Sequence, residues 1–282
     1  MELIYHPITK RQLAAIDRGS GSYIFSGASG NGRGQAAISL AKKLNCLQGG
    51  DDNCAICRNI EATSFPDLIE VTGGDKRLGI EQVQTLQQAL SSRPMTEATT
   101  RVVVIDSDSG ITPEAQNRLL KTLEEPPEST IIIIKATEID QLLPTIRSRC
   151  QIIHFLPARR SDIATLLGTK FSQVSADAVL ALNPATVGEA MMLASDDETK
   201  KERQSLYDAA NNFLSASLYQ RLTMLTSPIM ADNYQAIIEI LAKKVSRSPA
   251  SLGSIISIEK AQARIRANVG ARSVLEAMAI EL

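Results

Sequence analysis

A glycine-rich segment between a predicted strand and a predicted helix has the residue types that bind phosphate. It follows the apolar run Tyr23-Ile24-Phe25, and its glycines are Gly27, Gly30, Gly32 and Gly34. Backbone N–H groups of such a loop, together with a helix N-terminus, can surround phosphate oxygens. Gly27 and Gly32 have the spacing of the nucleotide-binding pattern G-x-x-x-x-G-K-[ST]. However, Arg33 occupies the lysine position, and Gly34 occupies the position of the hydroxyl that binds Mg²⁺. We expect a degenerate nucleotide site that still accepts ATP or ADP; a tight turn without phosphate is the alternative.

Two acids follow a second predicted strand, residues 102–105. Asp106 stands where an acid beside a phosphate loop can hold Mg²⁺, directly or through water. Active ATPases of this type carry a glutamate next, but here the residue is Ser107, whose hydroxyl cannot act as a general base at neutral pH. Asp108 could replace that glutamate only if the turn aimed it at the water. We therefore expect no ATP hydrolysis by this chain alone.

Three of the four cysteines, Cys46, Cys54 and Cys57, are close together in the sequence. Thiolates are zinc ligands, and a zinc site normally has four ligands. Water, Asp51 or Asp52 could complete the set. The alternative is a cluster of packed or unused thiols without metal.

A parallel sheet would bring the phosphate loop and the acids together. Short, mostly β-branched apolar runs are typical of buried parallel strands, and they occur at residues 23–25, 68–71, 102–105 and 131–134. One helical face after the phosphate loop consists of Ala37, Leu40, Ala41 and Leu44. Strands that alternate with helices predict an α/β domain over residues 1–157, with a cysteine-containing insertion near 46–57.

The sequence after Pro157 is rich in Ala, Leu, Lys and Glu and predicts helices. The expected helix breakers are Gly168, Pro184, Gly188, Pro228, Pro249 and Gly253. We predict a small helical domain at 158–198 that ends in a polar linker at 195–198, and a third, all-helical domain at 199–282. The last helix should have one apolar stripe, formed by Leu275, Met278, Ala279 and Leu282.

Composition restricts the function. The 282 residues exceed the ~100 to 200 of a usual domain, and 44% are apolar, which is enough for cores. With 30 Lys and Arg against 31 Asp and Glu, the chain lacks the positive charge of an autonomous DNA-binding protein. No apolar run approaches the ~18 residues of a membrane span, and the first residues lack the zones of a signal peptide. We expect a cytoplasmic protein with reduced thiols and no membrane contact.

Two motifs resemble those of a known family. Residues 114–127, E-A-Q-N-R-L-L-K-T-L-E-E-P-P, closely resemble the signature that follows the acidic strand in the AAA+ ATPases of the bacterial DNA polymerase III clamp loader. Ser148-Arg149-Cys150 is similar to the Ser-Arg-Cys motif of that family. Further similarity at residues 65–68, 80–83, 267–268 and 274–276 extends over nearly the whole chain. The resemblance implies an AAA+ P-loop domain, then a helical lid and a helical collar domain that joins a ring of subunits.

The resemblance also implies roles for single residues. Arg149 would be an arginine finger that enters the ATP site of a neighbouring subunit, whereas the alternative is a solvated arginine at a strand start. Thr137 matches the position that senses the γ-phosphate. Glu189 lies near the position of a phosphate-sensing arginine, where a carboxylate would repel phosphate. Ile60 occupies the position of the fourth cysteine in the zinc module of the family.

Two kinds of subunit share these motifs: the gamma/tau motor and the delta-prime subunit, whose nucleotide machinery is often degenerate. Arg33, Gly34 and Ser107 favour the delta-prime type. This implies a stator that is not an enzyme by itself but part of the polymerase III holoenzyme. Its partners would be gamma/tau, delta, the sliding clamp and, through the assembly, primer-template DNA. The rivals are a divergent gamma/tau-type motor ATPase and a nucleotide-free scaffold of another complex.

Overall fold

The computed structural model describes residues 4–17, 19–47, 49–50, 54–94, 100–171, 174–245, 252–267 and 269–282. The chain divides into two compact units. The first consists of Met1–Ala176 and Pro184–Met191, and the second of Asp177–Asn183 and Met192–Leu282. The division into domains at 1–157, 158–198 and 199–282 stays a prediction.

The first unit is built on a parallel sheet of five strands. These are β1 (Gly21–Ser26), β2 (Leu68–Thr72), β3 (Arg101–Asp106), β4 (Thr130–Ala136) and β5 (Gln151–His154). Their order is β2-β3-β4-β1-β5, so that β1 lies between β4 and β5. The sequence predicted four of the five strands. It missed β5 because this edge strand is partly exposed and has no continuous apolar run.

Alternating side chains of the central strands pack on opposite faces of the sheet. Val103 and Ile105 of β3 join one apolar core, and Val102 and Val104 join the other. The first core includes the apolar faces of α4 (Ile80–Leu90) and α5 (Pro113–Glu124), and the second includes that of α2 (Arg33–Asn45). Burial on both faces explains the nearly uninterrupted β-branched runs of these strands.

The helices of the described residues run along the whole chain. In chain order they are α1 (Pro7–Ala14), α2, α3 (Ala55–Glu61), α4, α5, α6 (Pro144–Arg147), α7 (Arg160–Lys170), α8 (Ala176–Ala181), α9 (Val187–Ser195), α10 (Asp197–Ser215), α11 (Leu218–Met224), α12 (Pro228–Asp232), α13 (Tyr234–Val245), α14 (Leu252–Arg266) and α15 (Ala271–Glu281), with a 3₁₀ turn at Ile139–Gln141. In α2 the predicted helical face is buried. In α15 the predicted stripe is buried at Leu275, Met278 and Ala279.

Three of the expected helix breakers belong to helices. Gly168 is inside α7, so that prediction was wrong, whereas Gly188 and Gly253 are the second residues of α9 and α14 and lie at helix starts. A glycine in a helix costs only about 1 kcal/mol relative to alanine, which tertiary packing can outweigh. Pro184 lies between helices and Pro228 begins α12, as expected, whereas Pro249 lies outside the described residues.

The polar stretch at 195–198 is a junction between two helices. Ser195 ends α9, and Asp196 caps α10, its carboxylate accepting a hydrogen bond from the Glu198 N–H at 3.1 Å. Only Asp196 of this stretch lies outside the helices, because an Asp before a helix stabilises the helix start. Its role as a linker between domains stays a prediction. None of the helices described for this chain is long and apolar enough to cross a membrane.

Candidate functional site

The glycine-rich loop leaves β1 at its carboxyl end and leads into α2. Gly27 has φ +150°, and a Cβ atom there would lie 2.5 Å from the Phe155 carbonyl oxygen. Gly30 has φ +85°, and a Cβ atom there would lie 2.4 Å from Thr186 Oγ1. The Gly188 N–H donates to the Gly30 carbonyl oxygen at 3.0 Å. Glycine is thus required where the start of α9 packs against the loop.

Arg33, at the lysine position of the phosphate-binding pattern, is turned inward and paired. It is the first residue of α2, and only 4% of it is exposed. Its two Nη atoms donate to the two carboxylate oxygens of Asp108 at 2.8 and 2.9 Å. Nη2 also donates to Thr137 Oγ1 at 3.1 Å, and that hydroxyl donates to Asp108 at 2.9 Å. These contacts join the loop directly to the ends of β3 and β4.

A second ion pair crosses the same edge of the sheet. Lys135 Nζ on β4 donates to Asp106 Oδ2 on β3 at 2.7 Å. Burial by itself would raise the pKa of Asp106, but the hydrogen bonds from Lys135 and from the Asp108 N–H, with the charges of Lys135 and Arg33, hold this pKa below its usual value. The acid that the sequence assigned to Mg²⁺ therefore has a protein cation as its partner.

Sequence reasoning missed Lys135. The signal was present, because Lys135 is the one charged residue in strand β4, which otherwise contains Thr, Ile and Ala. A lysine in a strand that is buried along most of its length needs a counter-charge. The carboxyl end of the neighbouring strand supplies it.

Ser107 and Gly34 also differ from the nucleotide-binding pattern, and neither residue supplies a general base or a ligand for Mg²⁺. Ser107 is 3% exposed, and its hydroxyl donates to the Lys135 carbonyl oxygen at 2.6 Å, which ties it to the backbone of β4. Gly34 has open space where a Cβ atom would be. No clash with a Cβ atom therefore explains why position 34 lacks a residue with a Mg²⁺-binding hydroxyl.

A cleft of about 480 Å³ opens beside the loop. The charged residues that line it are Arg33, Lys135, Asp108, Glu61 and Glu70. Both cations are already paired with carboxylates, and Glu61 pairs with Lys42 of α2. A triphosphate in this cleft would meet neutralised cations and carboxylates, which is an unfavourable environment for an anion.

Glu189 has a structural role at the start of α9. Its carboxylate accepts a hydrogen bond from the Ala185 N–H at 2.6 Å, and its own N–H donates to Thr186 Oγ1 at 3.2 Å. This reciprocal capping satisfies N–H groups at the helix start. The segment that packs on the phosphate loop is thereby held by its own side chains.

Arg149 makes its contacts away from the loop, at the ends of α5 and α6. Its Nε donates to Glu124 Oε2 at 3.0 Å, and its Nη1 donates to the Thr145 carbonyl oxygen at 3.1 Å. The side chain is 32% exposed. Arg147 instead pairs with Asp140 at 2.7 Å. Both arginines are thus at the surface of the first unit, and the finger role of Arg149 stays a prediction.

Cys150, the last residue of the Ser-Arg-Cys motif, packs against the core. Burial raises the pKa of its thiol to about 12. A thiol with this pKa stays protonated near neutral pH and is a poor nucleophile. Of these two motif residues, Arg149 and not Cys150 therefore has the side chain that is available to a partner.

The three clustered cysteines come together in the structure. The Sγ atoms of Cys46, Cys54 and Cys57 all lie within 4.8 Å of one another, and those of Cys46 and Cys54 are 3.7 Å apart. Two thiolates bound tetrahedrally to zinc at ~2.3 Å would be ~3.8 Å apart, so the spacing fits zinc. Ile60, at the position of the fourth family cysteine, is fully buried. Asp51 and Asp52 lie outside the described residues.

Comparison with known proteins identifies the family. The model of the family described as "DNA polymerase III, delta subunit" matches residues 8–159, which is more than half of the chain. The chain belongs to this family. The match confirms the resemblance to clamp-loader AAA+ proteins, and the parallel sheet with its phosphate loop agrees with the α/β P-loop fold of the family.

Individual relatives include two proteins of Bacillus subtilis (strain 168). DNA polymerase III subunit delta' is 34% identical over 206 residues, covering 72% of this chain and 60% of that protein. DNA polymerase III subunit tau is 36% identical over 140 residues, covering 48% of this chain and 24% of tau. The alignments thus span less than two thirds of either relative. A DNA polymerase III gamma subunit-related protein of Thermotoga maritima has a similar structure at 16% identity, with a TM-score of 0.49 and 96% coverage of both chains.

Proposed function

We propose that this chain is a delta-prime-type subunit of the DNA polymerase III clamp loader and acts as a stator. It occupies a fixed place in a ring of related AAA+ subunits, gamma/tau and delta, and helps to open the sliding clamp and load it on primer-template DNA. In this proposal residues 158–198 are the lid and 199–282 are the collar that joins the ring. The chain itself hydrolyses no ATP.

The observation that carries this proposal is the pairing of Arg33 with Asp108 and Thr137. In a P-loop ATPase, the loop lysine, the acid after the strand and Mg²⁺ meet at the terminal phosphates. Here Arg33, at the lysine position, is bound instead to side chains that follow β3 and β4, with bonds of 2.8 to 3.1 Å. A phosphate that entered in the motor-subunit manner would have to break a charge-assisted, bidentate pair. The loop therefore has its structure without nucleotide.

In this proposal the stator contributes to ATP hydrolysis by a neighbouring subunit through Arg149. A guanidinium is planar and always charged, and it stabilises the charge of a phosphoryl group in transfer. We infer that Arg149 enters the ATP site of the neighbouring subunit. Its place in a surface turn and its partial exposure support this role.

Nucleotide binding and turnover by the purified chain separate the stator from the motor alternative. We expect no ATP hydrolysis, because Gly34 offers no hydroxyl to Mg²⁺ and Ser107 is no base. Weak binding of ATP or ADP to the loop backbone is compatible with the proposal. Turnover that Asp106→Asn abolishes would establish the motor alternative instead.

The finger role is tested in the reconstituted clamp loader. Arg149→Ala should assemble normally but lower turnover at the ATP site that Arg149 enters by ~10³-fold or more, so that the ATPase rate of the assembly falls. Arg149→Lys should fail as well, because an ammonium does not reproduce the guanidinium fork. Arg147→Ala is the matched control and should have little effect. Unchanged ATPase and clamp loading with Arg149→Ala would instead support the scaffold alternative.

We also propose zinc as a ligand of Cys46, Cys54 and Cys57. The Sγ atoms support this, because they all lie within 4.8 Å of one another and the Cys46–Cys54 distance of 3.7 Å is close to the ~3.8 Å of two thiolates on one tetrahedral ion. Bound zinc would join the end of α2 to the start of α3. It would have a structural role, because the three thiols belong to this short connection and not to the cleft beside the phosphate loop.

A further inference from the structure

Glu124 anchors the side chain of Arg149 to the core of the first unit. It is the last residue of α5, and its neighbour Leu123 is buried with 2% exposure. The backbone of Glu124 is therefore fixed by packing, while its carboxylate reaches the surface and accepts the Arg149 Nε–H at 3.0 Å. The turn that carries Arg149 thus has a contact with a different, well-packed element.

The contacts of the guanidinium leave donors for a second partner. Arg149 has five N–H donors, and in the described part of the chain its hydrogen bonds go to Glu124 and to the Thr145 carbonyl oxygen. Neither bond uses Nη2. The side chain is therefore held on one side while donors remain for the oxygens of a phosphate group.

We propose that Glu124 is a positioning residue for Arg149. This inference rests on the proposed finger role and names the group that holds the finger in place. An arginine side chain has high rotamer entropy, which must be lost whenever it binds a phosphate. Glu124 removes part of that freedom in advance, so the guanidinium needs less ordering in the transition state.

Arg147 is a nearby arginine whose carboxylate partner does not belong to a core helix. Its partner Asp140 is 88% exposed and belongs to the short 3₁₀ turn at Ile139–Gln141, not to a helix of the core. The two arginines are similarly exposed, at 33% and 32%. They differ in the element that holds them, which makes Arg147 the natural comparison.

The expected effect is modest because the pair is partly exposed. Removal of the anchor by Glu124→Ala should lower kcat of the assembled clamp-loading ATPase by about two- to five-fold, which corresponds to about 0.4 to 1 kcal/mol at 1.36 kcal/mol per tenfold change. The KM for ATP should not change, because the neighbouring subunit binds the nucleotide. Glu124→Gln should keep most of the activity, since its amide oxygen still accepts the Nε–H.

The experiment is a double-mutant cycle in the complete, reconstituted assembly, with steady-state ATPase as the readout. The variants are Glu124→Ala, Glu124→Gln, Arg149→Ala and the double variant Glu124→Ala with Arg149→Ala. Glu125→Ala is the matched control, because Glu125 is the next residue and is also exposed. The inference requires that Glu124→Ala has no further effect once Arg149 is absent, and that Glu125→Ala is neutral.

Other outcomes separate the two proposals. If Arg149→Ala lowers the ATPase rate of the assembly but Glu124→Ala leaves kcat unchanged or raises it, the finger role stands and the positioning role is wrong. A loss from Glu124→Ala that persists in the Arg149→Ala background would also refute positioning, because it would show an independent structural effect. Unchanged ATPase with Arg149→Ala would overturn both the finger role and the positioning role.

Discussion

Removal of the Asp108 carboxylate should destabilise the first unit more than removal of its partner. Asp108→Ala leaves the Arg33 guanidinium, whose side chain is 4% exposed, with Thr137 as its remaining partner at that position. Arg33→Met leaves Asp108, whose side chain is 32% exposed and can be hydrated. The cost of an unpaired charge depends on its burial, so the two variants of one pair should differ.

The magnitude follows from the degree of burial. Loss of one partner of a fully buried ion pair costs about 3 to 5 kcal/mol. The Arg33–Asp108 pair is not fully buried, because one third of the Asp108 side chain is exposed to solvent, so we expect a smaller cost of about 2 to 3 kcal/mol for Asp108→Ala. For Arg33→Met we expect about 1 kcal/mol, since methionine replaces the buried stem and no buried charge remains. The double variant should resemble Arg33→Met, so the coupling energy should equal the loss from Asp108→Ala, about 2 to 3 kcal/mol.

Thermal unfolding followed by far-UV circular dichroism measures these differences. A loss of 2 to 3 kcal/mol should lower Tm by about 4 to 12 °C for a unit of this size. Hydrogen exchange in α2, β3 and β4 should assign the loss to the first unit. Asp140→Ala is the matched control, because it removes an exposed ion pair to Arg147 and should cost less than about 1 kcal/mol.

Two results would refute this reasoning. An effect of Asp108→Ala below about 0.5 kcal/mol would mean that the guanidinium is hydrated or finds another acceptor. A larger loss for Arg33→Met than for Asp108→Ala would mean that packing of the arginine stem, and not its charge, dominates. In either case the ion pair would no longer explain how the loop keeps its structure without nucleotide.

Three further predictions concern other sites. Asp67→Asn should lower the free energy of unfolding by about 3 kcal/mol in urea titrations, because it leaves Arg101 buried beside acceptor carbonyls without a counter-charge; a loss below about 1 kcal/mol would contradict this. If zinc is bound, elemental analysis should find about one equivalent per chain, and Cys54→Ser should release it without unfolding the sheet; a metal-free chain after purification without chelators would refute zinc binding. The pKa of Asp106 is lowered in the folded chain, so its contribution to stability is complete above the ordinary carboxyl pKa of about 3.9 and is lost as pH falls through the lowered value. Asp106→Asn should therefore reduce the loss of stability that occurs as the pH falls below about 4, and an unchanged loss in acid would show that Asp106 contributes nothing to it.

Sequence alone determined the fold class, and it predicted which chemical groups are missing from the nucleotide site. The β-branched runs predicted four strands, because a strand buried on both faces must be apolar along its length. The residues at 33, 34 and 107 predicted a degenerate nucleotide site, since each type lacks a specific functional group. The motif at 114–127 predicted the family, which the match at residues 8–159 confirmed.

Only the tertiary structure decided which charged groups are partners. Arg33 and Asp108 are 75 residues apart in sequence, and Lys135 and Asp106 are 29 apart. A sequence shows that these charges exist, but the order and register of parallel strands determine which carboxyl ends are adjacent. The same holds for Arg149, which is fixed by a carboxylate from the end of a different helix. Local sequence patterns predict elements because backbone and burial preferences act over a few residues, whereas ion pairs form between side chains that only the packed sheet and helices bring within 3 Å.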